Sequence, residues 1–301
     1  MKLALIANPA ARAGSHAAAA TRAAERLRAG GVQTAIVSGG SAAESASLLR
    51  TAIDAGVDAV AVVGGDGTVN LALQQLAGTG IPLGIIPVGT GNDFAATLGL
   101  RELDVIAAAD AIASGATRQV DLGRVTRPDG SVAFFGSVLA SGFDSKVNDR
   151  ANAMRWPRGG SRYNIAILRE FVTLRGIPYD LEFEDPDGTT ERYRGDMVMA
   201  TVGNGRTYGG GIPICPDADP ADGLLDVVTV RPAGRLRLLR LLPMVYRGTH
   251  ASVPEVAMRR ARSVRLSAPG VTAYADGDPI GVLPLVVDVA PGALTVFAPA
   301  E

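Results

Sequence analysis

The sequence predicts an α/β protein in two parts, a three-layer α/β domain followed by a mainly antiparallel β domain. Over residues 1–125, short apolar strands alternate with helical stretches, which is typical of a parallel sheet covered by helices. From about residue 119 the pattern changes to short alternating strands, separated by turn signals such as Pro128-Asp129-Gly130, which favours an antiparallel sheet. Two glycine-rich turns in the first part also follow apolar strands, as ligand-binding turns of parallel sheets do.

Each predicted strand of the first domain leads into a helical stretch. The strands are Leu3–Ala7, Thr34–Val37, Ala59–Val63 and Leu83–Ile86, and the helical stretches are His16–Leu27, Ala42–Ala55, Val69–Leu76, Asp93–Leu98 and Leu103–Ala113. Ligands of such sheets bind beyond the carboxyl ends of the strands. Asn8, Ser38 and both glycine-rich turns follow strands, so we expect one crevice to hold them.

The second domain, predicted over residues 126–289, combines short strands with two helices. The strands are Val132–Val138, Asp180–Glu184, Asp196–Val202, Leu225–Val230, Ser263–Ser267 and Val271–Asp276, and the helices are Tyr163–Leu174 and Gly234–Tyr246. No internal repeat or low-complexity linker separates the two domains.

Composition excludes several classes of protein. Of the 301 residues, 47% are hydrophobic and 20% charged, so a sizeable core is expected and bulk disorder is not. The net charge of −1 implies no overall attraction to nucleic acid, which we exclude as a partner. A single cysteine, Cys215, excludes an intrachain disulfide, and two distant histidines argue against structural zinc. No apolar run is long enough for a transmembrane helix, and the N-terminal apolar stretch is too short for a signal peptide, so we expect a cytoplasmic protein.

The first glycine-rich turn, Val62 to Asn70, is the most informative segment. Three glycines in four positions follow a buried strand, and a helix is predicted to start near Thr68. Glycines let a backbone approach a ligand, and a helix N-terminus offers free N–H groups to an anion. An aspartate within such a phosphate cradle, Asp66, indicates a metal or a transferred proton. An ordinary strand-to-helix turn is the alternative.

The second turn, Pro87-Val88-Gly89-Thr90-Gly91-Asn92-Asp93-Phe94-Ala95, makes the first more specific. GGDGTVN and PVGTGNDFA, in this order and spacing, resemble the diacylglycerol kinase catalytic family, which also includes bacterial lipid kinases, sphingosine kinases and ceramide kinases. The further matches are Asn8-Pro9, Val120 to Gly123, Gly142 to Asp144, Asn204-Gly205, Gly209 to Gly211, Asp222 to Asp226, and Asp276 to Asp278.

The resemblance implies a fold and an activity. The first domain would be a nucleotide-binding domain like that of NAD kinases and diacylglycerol kinases, rejoined by residues 290–301 through a last strand at Leu294–Phe297. The second would bind the lipid. The implied reaction is transfer of the γ-phosphoryl group of ATP to a lipid hydroxyl with Mg²⁺, and diacylglycerol, giving phosphatidic acid, is the leading acceptor.

The resemblance also implies which residues bind the nucleotide. These are Asn8, Ser38, Gly64, Gly65, Asp66, Gly67, Thr68, Asn70 and Thr90. Asp66 is in addition a catalytic candidate, acting on magnesium-bound phosphate, capping the helix near Thr68, or both. Asp93 is either a first-turn carboxylate or a group on the acceptor side of the cleft.

Two acidic turns complete the implied site. Asp278 stands where the family usually has glutamate, as the base that takes the proton of the acceptor hydroxyl; its side chain is one methylene shorter, and a plain Asp-Gly hairpin is the alternative. Asp219, Asp222 and the carbonyl of Leu224 resemble a structural magnesium loop, because hard cations take carboxylate and carbonyl oxygens. The alternative there is a solvated hairpin turn.

The segment Arg235 to Arg247 is both basic and apolar. It is interpreted either as a membrane-docking helix, through which a peripheral protein at the inner membrane face reaches its lipid, or as a core-packed helix with arginines on its wet face. The oligomeric state, including a homodimer, is left open. So is the role of the run after Pro9, Ala10 to Gly14, which departs from the family pattern.

Two rival functions are consistent with parts of the sequence. An NAD kinase shares the GGDG turn, although PVGTGNDFA and the Asp-Gly-Leu-Leu-Asp turn at 222–226 argue against it. A non-catalytic nucleotide- or lipid-binding homologue would account for the aspartate at 278 and for the altered loop after Pro9.

Overall fold

The computed structural model describes residues 1–7, 15–154, 156 and 160–299. Asn8 and the run Ala10 to Gly14 therefore lie outside the described residues. The first domain consists of β1 (Lys2–Ala7), α1 (Ser15–Ala29), β2 (Gln33–Val37), α2 (Ala42–Asp54), β3 (Ala59–Gly64), α3 (Asp66–Leu76), β4 (Leu83–Pro87), α4 (Asp93–Thr97) and α5 (Val105–Ser114).

The second part begins with β5 (Thr117–Thr126), β6 (Val132–Phe135), β7 (Val138–Gly142), α6 (Phe143–Ala153), α7 (Gly160–Val172), β8 (Ile177–Glu184), β9 (Thr190–Met197) and β10 (Met199–Gly203). It continues with β11 (Leu225–Val230), α8 (Arg235–Tyr246), a 3₁₀ turn (His250–Ser252), β12 (Val256–Ala261), β13 (Ser263–Ser267), β14 (Thr272–Ala275), β15 (Asp278–Val282) and β16 (Leu285–Phe297).

The first domain is a parallel sheet with helices on both faces. Its strands run in the order β2-β1-β3-β4, all parallel. Side chains alternate along β3: Val60 and Val62 pack towards α2, α3 and α4, whereas Ala59, Ala61 and Val63 pack towards α1 and α5. The predicted three-layer α/β architecture is therefore confirmed.

Local signals set the helix ends in this domain. The hydroxyl of Ser41 accepts a hydrogen bond from the Glu44 N–H at the start of α2, and Asp104 accepts two N–H bonds at the start of α5. Helix α5 ends at Gly115, whose φ of +77° is one that glycine adopts without strain. Caps of this kind set the residue at which each helix begins or ends.

The second part is a β-sandwich of two layers. One layer is the sheet order β12-β11-β10-β7-β14-β15, and the other extends the first sheet through β16, β13, β8 and β9. The largest apolar cluster lies between the layers and draws on both, with Leu181, Val264 and Leu285 from one and Leu139 and Val227 from the other. The predicted antiparallel domain is confirmed, as two sheets in place of one.

The long strand β16 joins both parts of the molecule. Val286 to Phe297 pair antiparallel with β5, and Val296 pairs parallel with Leu83 of β4. The last part of β16 thus lies in the first sheet beside the strand that precedes the second glycine-rich turn.

Two predicted strands are each split in the structure. Val132–Val138 forms β6 and β7, because the backbone at residues 136–138 leaves the ladder to donate hydrogen bonds to Asp276. Asp196–Val202 forms the end of β9 and then β10, because the chain crosses from one layer to the other at Val198. Helix α3 begins at Asp66, two residues before the predicted start.

Candidate active site

The two glycine-rich turns pack directly on each other at the ends of β3 and β4. A Cβ at Gly89 would lie 2.4 Å from the Cα of Gly65, and one at Gly64 would lie 2.4 Å from Oγ1 of Thr68. Gly89 is therefore required by contact between the two turns, and Gly64 by contact with α3 within the first turn. A Cβ at Gly67 would meet no atom within 4 Å, so this position is open to a ligand. Gly67 lies in the first turn of α3, where free N–H groups favour an anion.

Asp66 links the first turn to the second. Its Oδ1 accepts the Asp93 N–H at 2.7 Å and the Phe94 N–H at 3.4 Å, so the carboxylate caps α4. The prediction that Asp66 caps α3 is wrong, because Asp66 is already helical and the residue before α3 is Gly65, which has no side chain that could form a cap. Burial raises the pKa of Asp66, and the nearby Asp93 carboxylate raises it further.

Asp93 joins the first domain to the second. Its two carboxylate oxygens accept the N–H groups of Gly210 and Gly211 at 2.8 and 2.7 Å. Gly209, Gly210 and Gly211 all have positive φ, a conformation that orients successive N–H groups towards one anion. Asp93 therefore lies in the first turn of α4, as one alternative predicted, and its carboxylate links α4 to the glycine loop. A role for Asp93 on the acceptor side stays a prediction.

Asp276 and Gly277 form a two-residue hairpin turn between β14 and β15, and Asp278 is the first residue after it. Asp276 and Gly277 have φ of +49° and +91°, as a tight Asp-Gly turn requires, and Ala275 pairs with Asp278. The carboxylate of Asp276 accepts the N–H groups of Gly136, Ser137 and Val138 at 2.7–3.1 Å. Burial, followed by the negative charge of Asp66, raises the pKa of Asp276 to about 6 against the opposing effect of these bonds.

The hairpin brings Asp278 to the first domain. Its Oδ2 accepts a hydrogen bond from Nδ2 of Asn70 in α3 at 3.0 Å, across 208 residues of sequence. The Asn70 Oδ1 in turn accepts a bond from Gln74, which also binds the backbone of Phe134 at 2.6 Å and 3.0 Å. Asp278 is exposed, so its carboxylate is accessible from the cleft between the domains.

The other predicted nucleotide contacts lie along the same edge of the sheet. Ser38 is exposed at the end of β2, and its hydroxyl donates to the carbonyl of Ala7 at 3.2 Å. Thr68 is buried in α3, and Thr90 is exposed in the second turn. Ser38, Gly64 to Asn70 and Thr90 thus follow the carboxyl ends of β2, β3 and β4, whereas Asn8 lies outside the described residues.

In the predicted magnesium loop, two carboxylates accept hydrogen bonds from backbone N–H groups of the same loop. Asp219 accepts the Ala221 N–H at 3.1 Å and Asp222 accepts the Leu224 N–H at 3.0 Å, while the other oxygen of Asp222 is ion-paired with Arg260. Over the described ranges, no three His, Cys, Asp or Glu side chains gather to hold a metal. The donor atoms suit Mg²⁺, but the guanidinium of Arg260 holds an oxygen that the cation would need. Magnesium at Asp219, Asp222 and Leu224 stays a prediction.

Two buried residues, Asp121 and Asn204, hold loops of the site in place through hydrogen bonds. The sequence had not assigned a role to either. Asp121 accepts the N–H groups of Gly223 and Gly292, each at 2.8 Å, and so ties the acidic loop to β16. The amide of Asn204 donates to the carbonyls of Asp121 and Gly136 at 2.9 and 2.8 Å. Their matches to the family pattern, Val120 to Gly123 and Asn204-Gly205, were the only available signal.

The cleft is strongly acidic, with Asp66, Asp93, Asp276 and Asp278 along its walls. The negative charge of Asp93 raises the pKa of Asp66, and the negative charge of Asp66 in turn raises the pKa of Asp276. Mg²⁺ is usually held by one or two carboxylates together with substrate phosphates, and not by an all-protein cage. The arrangement therefore suits a nucleotide that enters the site with Mg²⁺ already bound to its phosphates.

Family models cover most of the chain. Residues 2–125 match the model described as diacylglycerol kinase catalytic domain, and residues 137–298 match that described as YegS C-terminal NAD kinase beta sandwich-like domain. A diacylglycerol kinase of Mycobacterium tuberculosis is 47% identical over 298 residues, which are 99% of this chain and 95% of that protein.

More distant relatives agree with this assignment. A Stenotrophomonas maltophilia protein named "probable lipid kinase YegS-like" is 32% identical over 83% of this chain and 81% of its own length. The crystal structure of a diacylglycerol kinase from Bacillus anthracis superposes with a TM-score of 0.70 at 22% identity, over 98% of this chain and 96% of that one, which shows the shared fold.

Proposed function

Because the chain belongs to the diacylglycerol kinase catalytic family, we propose that it transfers the γ-phosphoryl group of ATP to the hydroxyl of diacylglycerol, giving phosphatidic acid and ADP. The observation that carries the proposal is the bond between Asp278 and Asn70. It places an accessible carboxylate from the β-sandwich against the helix whose N-terminus would hold the phosphates. The diacylglycerol kinase of M. tuberculosis, 47% identical, supports the choice of acceptor.

Each part of the site has a distinct task in this reaction. The backbone N–H groups at the start of α3, near Gly67, bind the phosphates, and Ser38 and Thr90 lie within the same edge. Asp66 holds the two turns together, and its negative charge acts on the side of the site where the phosphates bind. Mg²⁺, bound to the nucleotide, would neutralise charge on the transferred group.

Asp278 acts on the acceptor. Its carboxylate accepts the proton of the lipid hydroxyl as the oxygen of that hydroxyl bonds to the γ-phosphorus and the bond from phosphorus to the bridging oxygen of ADP breaks. Asn70 holds one carboxylate oxygen, so the side chain is oriented before the acceptor arrives. A shorter carboxylate than the usual glutamate is compatible with this task because the hairpin itself brings residue 278 to α3.

Phosphorylation of purified acceptors with labelled ATP and Mg²⁺ tests the proposal. Diacylglycerol, sphingosine, ceramide and NAD are offered separately, together with a total lipid extract whose product is identified by mass spectrometry. We expect phosphatidic acid, and we expect the Asp278→Asn variant to form none. Labelling of NAD alone would establish an NAD kinase, and ATP binding without labelling of any acceptor would establish a non-catalytic homologue.

A further inference from the structure

Helix α8 has two apolar faces, of which only one is covered by the protein. Leu238 and Leu241 are buried in a cluster with Ile214 and Val228. Leu236, Leu239 and Tyr246 follow the spacing of the opposite face and are exposed, Leu236 to 77%. Neither sequence interpretation is sufficient alone, because the helix is packed on the core and also presents leucines to solvent.

A second helix, α7, packs on the same apolar cluster and also exposes apolar side chains. Phe171 and Leu174, at and beyond the end of α7, pack into the same apolar cluster as Leu238 and Leu241, while Leu168 and Val172 of α7 are exposed. We call the exposed side chains of the two helices the α7–α8 surface; its members are Leu168, Val172, Leu236, Leu239 and Tyr246. Grouped exposed apolar side chains, unlike scattered ones, mark an interaction site.

Positive charge lies along the same helix. The segment from residue 235 to 247 contains Arg235, Arg237, Arg240 and Arg247 and no acidic residue. Arg237 pairs with Glu255 at 2.6 Å, but no described carboxylate lies within ion-pair distance of Arg235, Arg240 or Arg247. Long arginine side chains can bury their stems beside apolar groups while their charged ends reach phosphate.

The segment that follows α8 contacts the loop beyond the glycine loop. Gly248, just beyond α8, lies against Pro213 and Pro216, and the His250 ring is hydrogen-bonded to the carbonyl of Ile214 at 2.9 Å. This 212–216 segment directly follows Gly210 and Gly211, which hold Asp93. Helix α8 is therefore joined through residues 248–250 and 212–216 to the loop that binds Asp93.

From these observations we infer that the α7–α8 surface docks the protein on an anionic lipid bilayer. The inference rests on the proposed function, because a lipid acceptor is embedded in such a bilayer. Anionic headgroups complement Arg235, Arg240 and Arg247, which have no ion-pair partner among the described residues, and the leucines and the tyrosine enter the interface between headgroups and acyl chains. A second copy of the chain is the less favourable occupant, because it would bring like charges face to face.

Vesicle binding without ATP tests the inference independently of catalysis. The probe is phosphatidylcholine vesicles with or without phosphatidylglycerol, and binding is measured by co-sedimentation. The Leu236→Gln, Leu239→Gln double variant keeps good helix formers on exposed positions, and we expect its partition coefficient to fall at least about tenfold. Leu48→Gln, on exposed α2 of the first domain, is the matched control and should bind as the wild type does.

The arginines are tested by their dependence on lipid charge. Replacing Arg235 and Arg240 by glutamine should weaken binding to phosphatidylglycerol vesicles by about fivefold per arginine. The same pair should leave the weak binding to pure phosphatidylcholine unchanged. Arg22→Gln, an exposed change on α1, controls for loss of positive charge elsewhere.

Activity assays separate docking from catalysis. The leucine variant should lose phosphorylation of vesicle-borne diacylglycerol but keep that of a short-chain diacylglycerol dissolved as monomers. The inference would be overturned if the leucine variant bound vesicles as strongly as the wild type does. It would also be overturned if the leucine variant kept its melting temperature but lost activity on the soluble acceptor. A third contradicting outcome is that the wild type is a dimer, that the leucine substitutions make it monomeric, and that vesicle binding does not change. Absence of wild-type kinase activity on both acceptors would refute the proposed function, while the vesicle measurement would still report on docking.

Discussion

The acidic side chains of the cleft have separate structural attachments, and these decide what each can do. Asp276 is fully engaged with three backbone N–H groups, and Asp93 with two. Asp278 has a single described partner, Asn70, and is exposed. A base must have a free lone pair within reach of the acceptor, and Asp278 meets that requirement best.

Asp278→Asn should abolish phosphoryl transfer while ATP affinity stays nearly constant. The amide cannot accept the hydroxyl proton, and residue 278 acts on the acceptor side of the cleft. Single-turnover kinetics and a nucleotide-binding titration measure the two effects separately. Asp278→Glu should retain activity, because a carboxylate is kept. Full activity in the asparagine variant would assign the base elsewhere, with Asp93 and Asp66 as the next candidates.

Asp66→Asn should lower the turnover number by at least about 100-fold, because the negative charge at the phosphates is lost. The asparagine Oδ1 can still accept the N–H groups of Asp93 and Phe94, so the fold should persist. Thermal unfolding checks the fold, and Asp58→Asn in the same domain serves as the control. A near-normal rate in the folded variant would limit Asp66 to capping α4.

At this site the sequence predicts local turns better than it predicts the hydrogen-bond partners of the side chains. The Asp-Gly pair at 276–277 is a local hairpin signal, so its turn could be predicted from two residues. The capping of α4 by Asp66 could not, because it depends on contact between two turns 27 residues apart. The hydrogen bonds of the buried Asp121 carboxylate could not be predicted either, because its partners, Gly223 and Gly292, are still more distant in the chain.

At the scale of elements, the turns after β3 and β4 act as one unit because their backbones touch. Gly89→Ala would place a Cβ 2.4 Å from the Cα of Gly65, a contact that only a shift of the backbone relieves. We expect a loss of stability of about 1–3 kcal/mol together with weaker ATP binding. Gly67→Ala is the matched variant: its Cβ meets nothing, so stability should be kept while ATP affinity falls. Equal ATP affinity in Gly67→Ala and wild type would place the phosphates elsewhere.

The acidic loop at residues 219–226 can be tested for magnesium through Arg260. If the loop binds Mg²⁺, added Mg²⁺ should raise the melting temperature of the wild type, because a ligand that binds only the folded state stabilises it. Asp222→Ala should remove that response. Arg260→Gln should strengthen it, because the ion pair with Asp222 no longer competes. A melting temperature that Mg²⁺ leaves unchanged in all three proteins would remove this loop from the set of metal sites.

Element prediction failed mainly where a strand changes layer or carries charge. Leu225–Val230 and Ser263–Ser267 were predicted with their observed bounds, because their apolar residues and flanking turns are clear. Strand β12, with two arginines in six residues, and β5, with an internal glycine and aspartate, have no such pattern. Their pairing with β11 and β16 stabilises them as strands, which a single sequence does not reveal.

On the scale of the whole molecule, the two parts are held together by polar contacts around the cleft as well as by β16. Asp93 binds the loop at Gly210, and Asp278 binds Asn70. Tyr208, just before that glycine loop, donates a hydrogen bond to Asp144 at the start of α6 at 3.0 Å. The helical side of the sandwich is therefore coupled to the glycine loop through one carboxylate. In the described part of the chain, no helix is long and apolar enough to cross a membrane.

The contact between Asp144 and Tyr208 predicts how the stability of the whole protein depends on pH. Burial raises the pKa of Asp144 from 3.8 to about 6, against the opposing effect of the Tyr208 hydrogen bond. The folded state thus binds this proton more tightly than the unfolded state. The stabilisation from Asp144 is complete below about pH 4 and is lost as the pH rises through about pH 6.

Asp144→Asn should remove this pH dependence. The amide is neutral at every pH and can accept the Tyr208 hydroxyl, so the variant should gain stability relative to wild type as the pH rises, by at most about 3 kcal/mol. Thermal or urea unfolding from about pH 4 to pH 8 measures the difference between variant and wild type. The contributions of the other carboxylates with raised pKa, Asp66, Asp226 and Asp276, cancel in that difference. Tyr208→Phe removes the bond that lowers the pKa of Asp144, so its loss of stability with pH should be steeper than that of wild type. A constant difference between Asp144→Asn and wild type across this range would mean that Asp144 has the same pKa in the folded and unfolded states.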